Sequence, residues 1–170
     1  MRRRPLLFSL VLFAPLAAWS QASVPQPLAA AAPDPRGALF VSVEWLAQHL
    51  HDPNLVLLHV GDPVEYPATH IPGARLVNLA DISVGDRTGK GLALEMPGAD
   101  TLRARLASLG ISDGSRIVLY YGKDWVSPTT RAHLTLAYAG LGDHVSILDG
   151  GMTAWTAAGH PTTAALPAPA

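Results

Sequence analysis

Within six residues, Gly122-Lys-Asp-Trp-Val-Ser127 brings together a cation, a carboxylate, an indole and a hydroxyl. The stretch follows the apolar run Ile117–Tyr121 and precedes a helical pattern from Pro128 to Ala139. A loop between a buried strand and a helix is where α/β proteins place nucleophiles and cradle anions. Asp124 is its candidate nucleophile or base, although a solvated loop acid near a helix start explains the residue more simply. Ser127 with His133 is the candidate nucleophile–base pair, but a spacing of six across a helix start implies no base geometry. Ser127-Pro128 reads better as an N-cap followed by proline at the first helical position. Lys123 and Arg131 flank the helix start and are the candidate ligands of a bound anion. The competing reading leaves Lys123 solvated and Arg131 bonded to backbone or to an acid. Trp125, at the tip, either packs down as a lid or meets a partner.

What the chain lacks narrows the chemistry further. It has no cysteine, so it carries no thiolate, no persulfide and no cysteine-bound metal. Seven histidines invite a metal reading, with His49-Leu-His51 and His70 as the best trio. Residues two apart on a helix do not share a face, and no second ligand motif joins them, so we expect neither metal nor cofactor. Trp45 and Trp155 fall in amphipathic helical patterns and read as core or near-core residues.

The elements that would position the loop alternate between two periodicities. Leu39–Val41 is a short strand candidate, with Ser42 capping a helix whose apolar face is Val43, Leu46, Ala47 and Leu50. Leu55–Val60 is a continuous apolar run of strand length, as expected of a strand buried on both faces. Val64–Pro67 is at most one helical turn. His70-Ile-Pro-Gly-Ala74 turns into a strand at Arg75–Val77. Asn78–Gly98 is long, Gly-rich and irregular, which predicts a surface segment. Thr101–Leu109 is a helix stopped by Gly110. After the strand at Ile117–Tyr121 and the helix at Pro128–Ala139 come a strand at Val145–Leu148, the turn Asp149-Gly-Gly151 and a last helix, Met152–Ala158. Strands alternating with helices predict an α/β fold with a mostly parallel sheet covered on both faces. Ligand sites in such folds lie beyond the carboxyl ends of the strands. Three loops are expected there: Gly61–Pro67, Gly122–Thr130 and Asp149–Gly151.

The ends carry different information. Arg2-Arg3-Arg4, an apolar stretch from Pro5 to Trp19 and the small-residue site Ser20-Gln21-Ala22 read as a signal peptide over residues 1–22. The apolar stretch is shorter than the ~20 residues a spanning helix needs, so no stable membrane anchor is expected. Export to the periplasm or beyond follows. Residues 23–37 are an Ala/Pro-rich lead-in, residues 38–161 the folded domain and residues 162–170 an Ala/Pro-rich tail or the start of a linker. Without the leader the chain has nine basic residues against thirteen acidic ones. It has no basic cluster, which excludes nucleic acid as an expected partner.

Five pieces in order resemble the rhodanese family of sulfurtransferases. They are Val41-Ser-Val-Glu-Trp-Leu46, His70-Ile-Pro-Gly-Ala74, Leu109-Gly-Ile-Ser-Asp113 followed by Arg116-Ile-Val-Leu-Tyr120, Arg131, and Ile147-Leu-Asp-Gly-Gly-Met-Thr-Ala-Trp155. The resemblance implies a three-layer sandwich with a central, mostly parallel sheet flanked by helices. It is greatest to the N-terminal half of two-domain rhodaneses, which has a similar irregular segment and typically lacks the catalytic cysteine. Active members hold that cysteine at the start of the loop after the central strand. Here the matching positions are Gly122 and Asp124, and the carboxylate of Asp124 would repel a thiosulfate dianion. Two further departures are His59-Val60-Gly61, where the family usually has an Asp-Val-Arg type strand end, and Thr69, where it usually has Gly. The resemblance therefore implies a module without catalytic residues, in which Gly122, Lys123, Asp124, Trp125, Val126 and Ser127 are a vestigial active-site loop. Its expected partners are a second rhodanese domain, another exported protein or a small oxyanion. The alternative is one half of a thiosulfate sulfurtransferase whose cysteine-bearing domain lies elsewhere.

Overall fold

Five short runs rich in Val, Ile and Leu pair into one sheet in the computed structural model, which describes residues 39–86, 88, 90–122 and 126–168. In chain order they are β1 (Phe40–Val41), β2 (Leu55–Val60), β3 (Arg75–Val77), β4 (Arg116–Tyr121) and β5 (Val145–Leu148). The helices are α1 (Val43–His49), α2 (Ala99–Ser108), α3 (Ser127–Tyr138) and α4 (Gly151–Ala157), with a 3-10 turn at Gly142–His144. The strand order is β1-β5-β4-β2-β3, and every pairing is parallel. The expected α/β sandwich with a parallel central sheet is thus the observed fold.

Alternation along the strands builds two cores. Leu58, Val60, Ile117, Leu119, Val145 and Ile147 face α2 and α3, where they meet Leu102, Leu106, Ala132 and Leu136. Their neighbours Leu57, Val118, Tyr120 and Leu148 face the opposite way, with Leu46 of α1 and Met152 and Trp155 of α4. A strand buried on both faces has no polar alternation to show, which is why β2 and β4 read as unbroken apolar runs. Trp155 is buried and Trp45 packs at the margin of the second core. Ser42 caps α1 as expected, accepting the Trp45 amide at 3.1 Å.

Three expectations need correction. Asn78–Gly98 is irregular but not wholly superficial: Ile82 and Pro97 are buried, and Ile82 and Leu79 pack into the first core. Apolar residues spaced without period still anchor a loop when the sheet edge beside it is open. Helix α2 begins at Ala99, two residues earlier than its apolar spacing indicates, because Gly98 supplies the extended N-cap. At the start of α3 the N-cap is Val126, not Ser127, and no side chain caps the helix. Ser127 is itself helical, and its carbonyl accepts the Thr130 hydroxyl at 2.8 Å. Thr163, just past the expected domain boundary, and His70 exchange two backbone hydrogen bonds of 2.9 Å.

The leader and lead-in lie outside the described residues. Among the described residues, no helix is long and apolar enough to cross a membrane.

Candidate functional site

Parallel pairing sends the loops after β2, β4 and β5 out of one edge of the sheet, so the three expected loops do share an end. The end of β4 lies between the ends of β5 and β2. Lys123, Asp124 and Trp125 lie outside the described residues. Gly122 is buried, while Val126 and Ser127 are exposed.

Gly122 is closely walled. A Cβ added there would lie 2.8 Å from Glu65 Oε2 and 3.2 Å from both Cε1 and Nε2 of His59. A carboxylate from the β2 loop and an imidazole from the end of β2 therefore fill the space a side chain at this position would enter. The turn after β5 is equally tight. Gly151 adopts φ +55°, and a Cβ on it would meet Tyr121 O at 2.8 Å and the Tyr121 ring at 3.0 Å. Glycine is needed at both places for close approach, and at Gly151 for the left-handed backbone as well.

Beside Gly122 lies a buried group that sequence reading did not assemble: His59, Tyr66, His70 and Tyr120. His59 and Tyr120 stand opposite each other in the β2–β4 register. His59 Nδ1 is 3.1 Å from Tyr120 Oη, and the same oxygen accepts the Ile71 amide at 3.1 Å. Using every donor, Tyr120 gives its hydrogen to Nδ1, and the ring hydrogen of His59 sits on Nε2, facing Gly122 and Glu65. Tyr66 donates to Ala74 O at 2.5 Å and stacks on His70, with centroids 4.1 Å apart. Burial pushes the Tyr66 phenol above its ordinary range and the Tyr120 phenol far above it, so both stay neutral. The sequence signal was present: a single histidine inside Leu-Val-Leu-Leu-His-Val, and a tyrosine inside Ile-Val-Leu-Tyr. Only the register shows that they meet.

The start of α3 differs. Thr129 is buried, and its hydroxyl has no hydrogen-bond partner among the described residues. Arg131 is half-buried. Its Nε donates to Thr135 Oγ1 at 3.3 Å and its Nη2 lies 3.7 Å from Met96 Sδ, so the guanidinium is engaged along the helix and with the 78–98 segment. Among the described residues, no hydrogen bond joins Ser127 to His133, and no three ligating side chains gather into a metal site. His49 stacks on Trp45, and His70 is enclosed by carbonyl groups. His51 stays exposed.

Such a site can pack and present a surface. Sulfur transfer through a covalent enzyme intermediate needs a thiolate, which no residue of the chain supplies.

The model of the rhodanese-like domain matches residues 42–158. A probable 3-mercaptopyruvate sulfurtransferase of Pseudomonas aeruginosa is 32% identical over 131 residues, covering 72% of this chain and 46% of that protein. The mitochondrial thiosulfate/3-mercaptopyruvate sulfurtransferase 1 of Arabidopsis thaliana is 32% identical over 130 residues, covering 71% of this chain and 33% of its own. Among solved structures, SseA from Escherichia coli, a 3-mercaptopyruvate sulfotransferase, superposes with a TM-score of 0.63 at 24% identity. That match covers 76% of this chain and 53% of the other, and it speaks to the fold. The chain spans less than half the length of these two curated relatives.

Proposed function

Since the chain belongs to the rhodanese-like domain family, we propose that it serves as a non-catalytic binding or structural module of that sulfurtransferase family. The observation that carries this reading is the sulfur inventory: no cysteine and three methionines. A thioether does not ionise to a nucleophile and cannot hold a transferable sulfur as a persulfide. The enclosure of Gly122 by Glu65 and His59 supports the same reading, because a reactive side chain at that position would displace a carboxylate and a buried ring. The decisive assay offers thiosulfate and cyanide to the purified chain. No thiocyanate above the uncatalysed rate is expected, and clear turnover overturns the reading.

The second reading is one half of a thiosulfate or 3-mercaptopyruvate sulfurtransferase whose cysteine lies on another domain. It is favoured by the partial coverage of the longer relatives. Adding the chain to a separately expressed cysteine-bearing rhodanese domain should then raise that domain's kcat/KM. No effect at saturating ratios removes this reading.

A protein partner suits the loop edge better than a small oxyanion. The Glu65 carboxylate borders Gly122, and Arg131 is already engaged with Thr135 and Met96. The oxyanion version rests on Lys123 and Arg131 acting at the start of α3 with the unpartnered Thr129 hydroxyl. Titration with thiosulfate, sulfate and phosphate, read by tryptophan fluorescence, decides it: a saturable response in the millimolar range revives the oxyanion. The basic and apolar leader supports export to the periplasm or beyond, and N-terminal sequencing of the mature protein should begin after Ala22.

A further inference from the structure

Both ring nitrogens of the fully buried His70 face carbonyl oxygens. Nδ1 lies 2.7 Å from Tyr66 O, and Nε2 lies 3.1 Å from Ala165 O in the tail. A carbonyl accepts hydrogen bonds and never donates them, so each contact is a bond only when its nitrogen carries a hydrogen. Neutral imidazole carries one and imidazolium carries two. The ring also stacks on Tyr66, tilted by only 19°, and a neutral π face favours a cation beside it. We propose that protonated His70 clasps the C-terminal tail at Ala165, and that loss of the proton frees the tail beyond Thr163.

The geometry decides which bond is surrendered. The contact to Tyr66 is shorter and buried, whereas that to Ala165 is longer and only part-buried. The single hydrogen of the neutral ring therefore stays on Nδ1. Nε2 then turns a lone pair toward the Ala165 carbonyl, and the two repel. Upstream anchors do not depend on the ring's charge: the backbone pair of His70 with Thr163, and the Trp155 indole donating to Pro161 O at 2.8 Å. The point where the chain leaves the domain moves from Ala165 back to Thr163. Two extended residues add about 7 Å of reach to whatever the tail carries.

The groups around the ring come from several elements. Glu65 and Tyr66 belong to the same turn, and Arg75 of β3 acts on Tyr66. His59 of β2 packs edge-on to Tyr66 at 5.5 Å and to Tyr120 of β4 at 4.9 Å. His160 follows α4 and lies against Trp155. Both tyrosines are held neutral by burial, which leaves the histidines as the groups whose protonation must be followed. The clasp is present while both ring nitrogens of His70 carry a hydrogen and is lost when one of the two leaves.

The test follows tail order and the His70 ring together by NMR in the full chain. On raising the pH, order parameters of the Ala165 and Leu166 amides should fall from about 0.85 to below about 0.6. The change should coincide with the His70 ring signals and persist in His160→Gln. His70→Gln cannot titrate, so its tail should show no such transition. Should that variant fold poorly, Thr163→Ala serves instead. It removes the hydroxyl that accepts the Ala165 amide at 3.0 Å, so release should come at lower pH than in the wild type. A tail whose order stays constant while His70 titrates, a transition unchanged in His70→Gln, or one unmoved by Thr163→Ala overturns the proposal.

Discussion

The turn after β2 and the start of α3 leave the sheet side by side, yet they use their polar atoms in opposite ways. The turn closes on itself: Tyr120 Oη joins His59 to the Ile71 amide, Tyr66 bonds Ala74, and His70 bonds Tyr66 and the tail. The start of α3 has no side-chain cap and buries a threonine hydroxyl without a partner among the described residues. Both lie where an α/β protein of this topology would position a reacting group. The difference teaches that the edge has become a packing site on one side while remaining unfinished on the other. A buried polar network rigidifies when it is complete and costs stability when it is not.

Four measurements sharpen that contrast or break it. The largest effect should come from Tyr120→Phe, which leaves the buried Ile71 amide without an acceptor and should lower stability to urea by about 2 kcal/mol. A loss under half of that would mean the network is not the support we describe. Alkaline pH should act on the same tyrosine. Its folded pKa is raised by burial, so its contribution is intact below the ordinary tyrosine value near 10 and falls as pH climbs above it. By pH 11 roughly 1 kcal/mol should be gone, and Tyr120→Phe should remove this part of the pH dependence. Gly122→Ala comes next, at about 1 kcal/mol of destabilisation from crowding His59 and Glu65. Adding Glu65→Ala should recover part of it, and no recovery would show that the carboxylate does not occupy the space. The smallest effect has the opposite sign. Thr129→Val removes an unsatisfied hydroxyl at nearly constant volume and should stabilise by about 0.5 kcal/mol, whereas destabilisation would reveal a partner for that hydroxyl.

Much of the fold was legible because buried parallel strands leave a loud trace. The ends of β2, β3 and β5 fall where their apolar runs end, and Gly110 stops α2 with φ +75°. The signals that misled were local ones. Ser127-Pro128 has the composition of a capped helix start, but capping depends on backbone angles, and Val126 takes the flanking position. Ile82 looks like any apolar residue in an aperiodic loop, and only the open edge beside β3 accounts for its burial. The candidate site was half legible. Its place beyond β4 and its lack of a thiol follow from the sequence. The meeting of His59 with Tyr120 and the approach of Glu65 to Gly122 depend on register and loop path, which no single stretch encodes. Lys123, Asp124 and Trp125 lie outside the described residues, so their expected roles stand as proposals.

Strand β1 has one partner among the described strands, and it is the last strand made: Phe40 aligns with Ile147 and Val41 with Leu148. A ribosome delivers β1 well before β5. The outer rim of the sheet therefore stays open until nearly the whole domain has emerged, and the newborn chain cannot lock itself shut early. The rim beside β1 is completed only when β5 has followed β2 and β4 out of the ribosome.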